Sequence, residues 1–211
     1  MPEGRFRLGA SLLAAAFVAA AFTSSGCGTR ITTLYEKVLG SKRYERTTEA
    51  FTRTREVHDG LEVRFILSST WLSPEWIRAF SEEYASIYYL DAERKERMIN
   101  RWKGESETYE RFFVALFTPD DRTNDLDREE TLWALHLVRA DEVDFEPVYV
   151  RRTSLRPEEV TRFFPYSGTW YRAYEVAFPK VAGEKVGAET AALRFKLVLS
   201  GVQGRAVLVW N

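Results

Sequence analysis

Eight short runs of β-branched and aromatic residues, separated by turn-forming residues, constrain the fold of this chain more than any other feature of its sequence. The runs cover residues 47–57, 63–67, 108–118, 131–138, 145–152, 169–178, 191–199 and 205–210. They do not alternate regularly with helical segments, as the strands of a parallel α/β sheet would. The pattern therefore predicts a mainly β fold, an antiparallel β-sandwich of immunoglobulin-like architecture.

Three details indicate where strands lie within the sandwich. Residues 108–118 form an almost unbroken apolar and aromatic run, short enough to be a central strand buried on both faces. Pro147 lacks the amide hydrogen that a strand ladder needs, so its strand is expected to lie at an edge or to begin there. His58, Asp59 and Gly60 provide a tight turn between the first two runs, which predicts a hairpin.

One segment between the strands carries helical signals. Ser73 can cap the free amides of a helix, Pro74 suits its first position, and Glu75 suits its positive end. We expect a helix from about residue 74 to 89 and a second piece to about residue 103, ended by Gly104. This inserted helical segment, near residues 74–103, is expected to cover one end or edge of the sandwich.

The N-terminus has the three parts of an export signal. Arg5 and Arg7 form a positive region, residues 8–22 are apolar, and residues 23–26 are the small residues that a signal peptidase accepts. The apolar run is shorter than the roughly 20 residues that a membrane-spanning helix needs. Residues 1–26 are therefore interpreted as a signal peptide.

The end of this signal resembles the lipobox of bacterial lipoprotein precursors. The motif is Ser24-Ser25-Gly26-Cys27, and Cys27 is the only cysteine of the chain. The resemblance implies that Cys27 becomes the acylated first residue of the mature protein and attaches it to the membrane. In that family a residue other than Asp after the Cys, here Gly28, accompanies outer-membrane delivery, which implies a place in the cell envelope facing the periplasm. A secreted protein with a spare thiol and an uncleaved anchor are the alternatives.

This interpretation divides the chain into three parts. Residues 1–26 are the signal peptide, residues 27–45 the lipidated N-terminus and tether, and residues 46–211 the β-sandwich domain. Apolar residues at helical spacing predict one or two helical turns in the tether: Ile31, Leu34, Tyr35, Val38 and Leu39. Removal of the signal leaves 185 residues (211 minus 26) and no second thiol, so the core must hold by packing without disulfides.

Charge and motif content argue against several kinds of function. Removal of the signal leaves 28 of the 30 basic and 30 of the 31 acidic residues, a net charge of −2. Such a mixed surface is not typical of nucleic-acid binding, which needs a basic patch. The two histidines, His58 and His136, are too few for a metal site built from imidazoles. The sequence contains no Gly-rich phosphate loop and no dinucleotide fingerprint, so no cofactor is expected.

The acidic loop at residues 118–127 is a candidate calcium site, since calcium prefers oxygen ligands at short spacing. Its candidate ligands are Asp120, Asp121, Asn124, Asp125 and Asp127. The loop lacks the glycine and the terminal glutamate of an EF-hand, and Arg122 and Arg128 would neutralise the site. Asp and Asn are also common in connecting turns, so a plain loop is favoured over a metal site.

The segment 163–171 is rich in aromatic residues. Its candidate binding residues are Phe164, Tyr166, Trp170 and Tyr171, because Tyr and Trp are favoured in binding hot spots. Aromatic side chains also fill sandwich cores, and core packing is the favoured interpretation for most aromatic residues of this chain.

The sequence thus favours a lipid-anchored envelope protein that acts as a binding or assembly subunit, with another envelope protein as its expected partner. No catalytic residues are predicted. Two alternatives remain open. A hydrolase of envelope polymers would need a pair of carboxylates in a cleft, and a small-ligand carrier would need a dry cavity between the sheets.

Overall fold

A computed structural model describes residues 41–180 and 195–211. The helices are α1 (Lys42–Phe51), α2 (Pro74–Ile87), α3 (Ala92–Thr108) and α4 (Pro157–Phe163). The strands are β1 (Thr52–Asp59), β2 (Glu62–Trp71), β3 (Tyr109–Phe117), β4 (Trp133–Arg139), β5 (Asp144–Phe145), β6 (Tyr149–Arg152), β7 (Arg172–Pro179), β8 (Phe195–Gly201) and β9 (Gly204–Trp210). Among these residues no helix is long and apolar enough to cross a bilayer. The predicted signal peptide, Cys27 and most of the predicted tether lie outside the described residues.

The strands form two antiparallel sheets that pack face to face. One sheet has the strand order β1-β2-β3-β7-β6, and the other has the order β5-β4-β8-β9. Side chains that alternate along the strands fill the space between the sheets; they include Phe65, Leu67, Phe112, Val114, Leu116, Leu135, Leu137, Leu197, Leu199 and Leu208. The predicted mainly β fold, an antiparallel β-sandwich, is confirmed, and so is the hairpin of β1 and β2.

Strand β3 is buried on both faces, as its unbroken apolar run predicted. It lies in the middle of the five-stranded sheet, between β2 and β7. Phe112 and Val114 point into the core between the sheets, whereas Phe113 and Ala115 belong to a second core on the opposite face. The strand therefore links two hydrophobic cores, one made by the two sheets and one made by the sheet and the helices.

The helices form a third layer on the outer face of the five-stranded sheet. Trp76 and Phe80 of α2 pack in the same core as Phe113 and Ala115. The expectation that the helical segment covers one end or edge of the sandwich is therefore wrong. The physical reason is the second apolar face of β3, which would lie in water without this cover.

The first helix occupies residues that the sequence pattern assigned to a strand and a tether. Helix α1 covers Lys42–Phe51, and the Ser41 hydroxyl accepts a hydrogen bond from the Tyr44 amide at 3.1 Å. Tyr44 and Thr48, four residues apart, are both buried on the same face of the helix. The strand prediction for residues 47–51 is thus wrong, because the N-cap and the buried pair outweigh the strand preference of the threonines.

Helix α3 continues past Gly104 to Thr108, so the prediction that Gly104 ends this helix is also wrong. Trp102, before the glycine, packs on Phe80 with ring centroids 4.9 Å apart. Ser106, after it, is buried, and its carbonyl oxygen accepts a hydrogen bond from Lys180 Nζ at 2.7 Å. Tertiary contacts on both sides outweigh the roughly 1 kcal/mol that glycine costs inside a helix.

The predicted strand at residues 145–152 is divided between the two sheets. Strand β5 lies at the edge of the four-stranded sheet and β6 at the edge of the five-stranded sheet. Pro147 lies where the chain crosses between them, which agrees with its expected edge position. The crossing places the following helix, α4, on the helical side of the sandwich.

Candidate binding surfaces

Four connections meet at one end of the sandwich. Leu116 lies near the end of β3. It pairs with Leu67 of β2 on one side and with Arg172, the first residue of β7, on the other. The β1–β2 turn and the connections that follow β3 and precede β7 therefore lie at the same end. A Cβ added at Gly204, in the β8–β9 turn, would lie 2.9 Å from Val57 Cγ1, so this turn packs against β1 at that end as well.

The tips of these connections hold large apolar side chains in water. Leu61 is fully exposed, while Val202 and Trp170 are 88% and 80% exposed. Leu132 is 46% exposed, and its carbonyl oxygen would lie 2.6 Å from a Cβ added at Gly201. We call Leu61, Leu132, Trp170 and Val202 the apolar end. Single exposed apolar residues are common, but four on separate connections at one end make this end a candidate contact surface.

Two of the predicted aromatic binding residues lie in the helical layer. Phe164 is buried, and its ring stacks on Phe113 of β3 with 3.5 Å between the centroids. The hydroxyl groups of Tyr166 and Thr70 lie 2.6 Å apart and share a hydrogen bond. Burial raises the pKa of Tyr166 above its usual value. These contacts give both residues a structural role in joining α4 to the sheet.

The other two predicted aromatic residues precede β7 at the apolar end. Tyr171 is half-buried and packs against Phe117, with ring centroids 5.7 Å apart. Trp170 is the member of the predicted set whose side chain is mostly in water. The four residues therefore do not form one surface, and Trp170 is the one that is free to contact a partner.

Three of the five candidate calcium ligands are held by arginines. The pairs are Asp120 with Arg122, Asp121 with Arg172, and Asp127 with Arg152. Hydrogen bonds from the Arg122 side chain and backbone hold the pKa of the Asp120 carboxyl below its usual value. These carboxylates are thus engaged by cations of the protein itself.

The remaining two candidate ligands fix the loop to the sandwich. The buried Asn124 donates from Nδ2 to the Leu116 carbonyl at 2.6 Å and accepts from the Tyr174 hydroxyl at 2.8 Å. Asp125 accepts a hydrogen bond from the Thr131 hydroxyl at 3.0 Å. Within residues 41–180 and 195–211, no group of three or more His, Cys, Asp or Glu side chains is placed to hold a metal ion.

A second candidate surface is an open groove of about 1040 Å³ between α1 and α4. Its floor includes Tyr44, whose hydroxyl donates to the Phe163 carbonyl at 2.6 Å, together with Tyr166 and the prolines that flank α4. We call this cavity the α1–α4 groove. Its mixture of aromatic rings, prolines and hydroxyl groups suits a peptide or another ligand with an apolar face.

The rim of the α1–α4 groove is acidic. Glu45 and Glu49 lie one turn apart on α1, and Glu158 lies on α4; all three are exposed. Among the described residues that line the groove, the one cation is Arg162, which is paired with Glu83 at 2.5 Å between Nη2 and Oε1. The groove therefore presents three carboxylates that its own arginine does not neutralise, and it favours a cationic ligand.

A network of three residues ties α4 to the end of α2. Glu159 accepts hydrogen bonds from the Tyr88 hydroxyl at 2.8 Å and from the Arg156 backbone at 3.0 Å. The Arg156 guanidinium also contacts the Glu159 carboxylate at 3.1 Å. Hydrogen bonds from the Arg156 side chain, which outweigh the effect of burial, lower the pKa of Glu159 to about 2.

Acid is therefore expected to weaken the contact between α2 and α4. Because the folded-state pKa of Glu159 lies below its ordinary value of 4.5, its contribution to stability is present above pH 4.5 and is lost as the pH falls towards 2. With allowance for screening of the exposed Arg156, we expect a contribution of about 1 kcal/mol. Urea unfolding of wild type and Glu159→Gln between pH 7 and pH 2.5 should show a stability difference that shrinks towards acid. Glu158→Gln, at the exposed neighbour, is the control for removing one carboxylate near the start of α4.

Each of the two histidines is paired with a carboxylate, and the two pairs lie on different strands. His58 Nε2 lies 3.2 Å from Glu56 on β1, and His136 Nδ1 lies 3.0 Å from Asp144, across β4 and β5. In the described part of the chain, no serine hydroxyl bonds to either ring. Neither pair therefore forms the relay of nucleophile, base and orienting group that a hydrolytic triad requires.

The sequence pattern missed the α1–α4 groove and most of the apolar end. Glu45 and Glu49 are neighbours only on a helix, and the pattern assigned part of that helix to a strand. Leu61 and Val202 lie in glycine-containing turns, where exposed apolar residues are unusual. An apolar residue within a tight turn, as at Leu61 and Val202, is the sequence signal that could have predicted a contact surface at this end of the molecule.

No family model and no curated protein matches this sequence. A crystal structure of a novel protein of unknown function from Burkholderia pseudomallei, at 1.90 Å resolution, is similar to this chain with 10% sequence identity and a TM-score of 0.42. The similarity covers 85% of this chain and 89% of that chain. A likeness of this degree carries no information about function.

Proposed function

We propose that this chain is a lipid-anchored cell-envelope protein whose sandwich acts as a binding or assembly subunit. Residues 1–26 direct export, and Cys27 carries the lipid that holds the protein at the outer membrane, facing the periplasm. The observation that carries the binding role is the apolar end, where Leu61, Trp170 and Val202 stand largely in water on three connections. The partner is another envelope protein with an apolar contact surface.

The apolar end has the properties of a protein contact surface. Its side chains lie on loops that a rigid two-sheet scaffold holds in place, as binding loops commonly do. Asn124, which is buried and bonded to Leu116 and Tyr174, fixes the loop after β3 on that scaffold. Trp170 supplies the large aromatic side chain that dominates many protein interfaces.

The hydrolase alternative receives less support from the described residues. It needs two carboxylates that are free to exchange protons in a cleft. Glu83 and Glu159 are each bonded to an arginine. Burial raises the pKa of Glu175, but hydrogen bonds from Arg151 and the Ser154 amide outweigh it and hold the pKa below its usual value. These three carboxylates stabilise the fold. Glu45, Glu49 and Glu158 line the α1–α4 groove, but they stand exposed at its open rim, whereas a catalytic pair needs a cleft that excludes water.

The small-ligand carrier also receives little support. It would need an empty apolar cavity between the sheets. Large side chains of both sheets meet in that space, including Phe65, Phe112, Trp133 and Phe195, with ring centroids of Phe65 and Trp133 only 4.9 Å apart. Such a packed interior stabilises the sandwich and provides no site for a ligand.

Photo-crosslinking in intact cells tests the binding role. Benzoylphenylalanine in place of Trp170 or Leu61 is expected to capture one defined envelope protein, whereas the same probe at the exposed Arg101 of α3 should capture none. Trp170→Ala should reduce capture by the Leu61 probe about 30-fold, the effect of losing a hot-spot residue. Cys27→Ser should release the protein from the membrane fraction and abolish capture. Equal capture at Trp170 and Arg101, or no capture by a membrane-bound protein, would contradict the proposal.

A further inference from the structure

The α1–α4 groove has an apolar floor and an acidic rim, and the segment that directly precedes α1 has complementary properties. We propose that residues 31–39 of this same chain seat in the α1–α4 groove and pack against both helices. The groove, the sequence of this segment and the point where it joins α1 support this placement. Neither the apolar end nor a lipid at Cys27 is required for it.

The segment has the sequence of a short amphipathic helix that needs a partner. Its apolar residues occupy positions i, i+3, i+4, i+7 and i+8, which lie on one face of a helix: Ile31, Leu34, Tyr35, Val38 and Leu39. A helix of this length is not stable alone in water, so its apolar face requires a surface to cover it. The nearest surface along the chain is the domain that starts at Ser41.

The start of α1 determines how the segment enters the domain. The Ser41 amide donates to Glu83 Oε2 at 3.1 Å, and the Ser41 hydroxyl caps the Tyr44 amide. One residue, Gly40, separates Leu39 from this fixed point. Connections this short place consecutive helices side by side and antiparallel. As a helix, residues 31–39 would be about 13 Å long, close to the roughly 15 Å of α1.

The groove is the side of α1 that is open to such a neighbour. On its other side α1 contacts α2, through Arg43 with Glu82 at 2.9 Å. The side towards α4 is the α1–α4 groove, with Tyr44 and the prolines on its floor. A helix that turns back along α1 at Gly40 would therefore lie between α1 and α4.

Charge complementarity supports the same occupant. Arg30, just before the segment, and Lys37 are seven residues apart, so they lie on the same flank of the predicted helix, beside its apolar face, whereas Glu36 lies on the opposite flank. The rim of the groove offers Glu45, Glu49 and Glu158, and Arg162, the cation among its described lining residues, is already paired with Glu83. The apolar face would supply most of the binding free energy, and the exposed ion pairs would orient the segment.

Seating of residues 31–39 would shorten the link between the domain and its N-terminus. A free segment of thirteen residues, 28–40, spans at most about 45 Å, whereas residues 28–30 span about 10 Å. If Cys27 carries a lipid, the domain would be held against the membrane in a preferred orientation. The apolar end would then face a restricted set of partners.

Intramolecular photo-crosslinking of the full chain in its native cells tests the proposal. Benzoylphenylalanine at Glu49, on the rim, is expected to join residues 31–39 of the same chain with at least ten times the yield of the probe at Ala50. Ala50 is the matched control, because it is the next residue of α1 and is exposed but does not line the groove. Mixed light and heavy isotope labelling distinguishes links within one chain from links between copies.

Variants of residues 31–39 and of the groove distinguish this occupant from another protein and from a second copy of this chain. Leu34→Asp with Val38→Asp should lower the cross-link yield at Glu49 at least tenfold, whereas Thr33→Asp on the polar face should leave it unchanged. Glu45→Lys should lower the yield about threefold, and Lys37→Glu should restore it in the double variant. Cross-links from Glu49 to another protein, links between differently labelled copies, or equal yields at Glu49 and Ala50 would each overturn the proposal.

Discussion

Phe164→Ala is expected to lower the free energy of unfolding by about 3–5 kcal/mol, whereas Trp170→Ala should change it by less than about 0.5 kcal/mol. The two residues belong to the same aromatic segment, but their surroundings differ. Phe164 stacks on Phe113 at 3.5 Å and on Trp76 at 5.4 Å, and its removal would leave a cavity between α4 and β3. Trp170 is 80% exposed, so its removal leaves no cavity.

Urea unfolding followed by far-ultraviolet circular dichroism checks this prediction, because that signal does not depend on the deleted indole. Phe164→Leu provides a control of similar volume, with an expected loss of about 1.5 kcal/mol or less. Capture of a partner should respond in the opposite way, falling for Trp170→Ala and persisting for Phe164→Leu. Similar losses of stability for the two alanine variants would show that Phe164 does not lie in the helical core.

Arg162→Met is expected to cost about 3 kcal/mol of stability, because it leaves a buried carboxylate without its cation. Glu83 is 4% exposed, and the Arg162 guanidinium lies 2.5 Å from it. After the substitution, the Ser41 amide at 3.1 Å would be the hydrogen-bond donor that remains to Glu83. The start of α1 should therefore loosen together with α2 and α4.

A double-mutant cycle measures this coupling. Glu83→Met combined with Arg162→Met should recover most of the lost stability, since apolar side chains of similar volume often replace a buried ion pair without cost. Arg43→Met is the matched control: 63% of the Arg43 side chain and 37% of that of its partner Glu82 are exposed, and the expected loss is below about 1 kcal/mol. If Arg162→Met costs no more than Arg43→Met, Glu83 is not a buried charge that depends on Arg162.

Much of the sandwich could be predicted because its strands carry local signals. The two-faced apolar run of β3 and the turn before Leu61 indicate a central strand and a hairpin without reference to the rest of the chain. The start of α2 is equally local, with Ser73 capping the Trp76 amide at 3.0 Å. These elements are specified by neighbouring residues, so the sequence pattern is sufficient to find them.

The location of the helical layer and the α1–α4 groove could not be read from local patterns. The groove is formed by residues more than a hundred positions apart in the sequence, from Tyr44 on α1 to Tyr166 after α4. The difference between Phe164 and Trp170 is also non-local, because it depends on which residue meets Phe113. Composition identifies such aromatic residues as candidates, but tertiary packing decides which of them are exposed.

The edges of the two sheets restrict how this protein can recognise another chain. On one side β1 and β9 lie together, and Arg53 Nε donates to the Val209 carbonyl at 2.9 Å. On the other side the edge strands β5 and β6 have two and four residues, with Pro147 between them. Long, open edges are templates on which a foreign strand can pair, and short or covered edges are not. Recognition by this sandwich is therefore expected to depend on side chains at loop tips and in grooves, rather than on backbone pairing with an added strand.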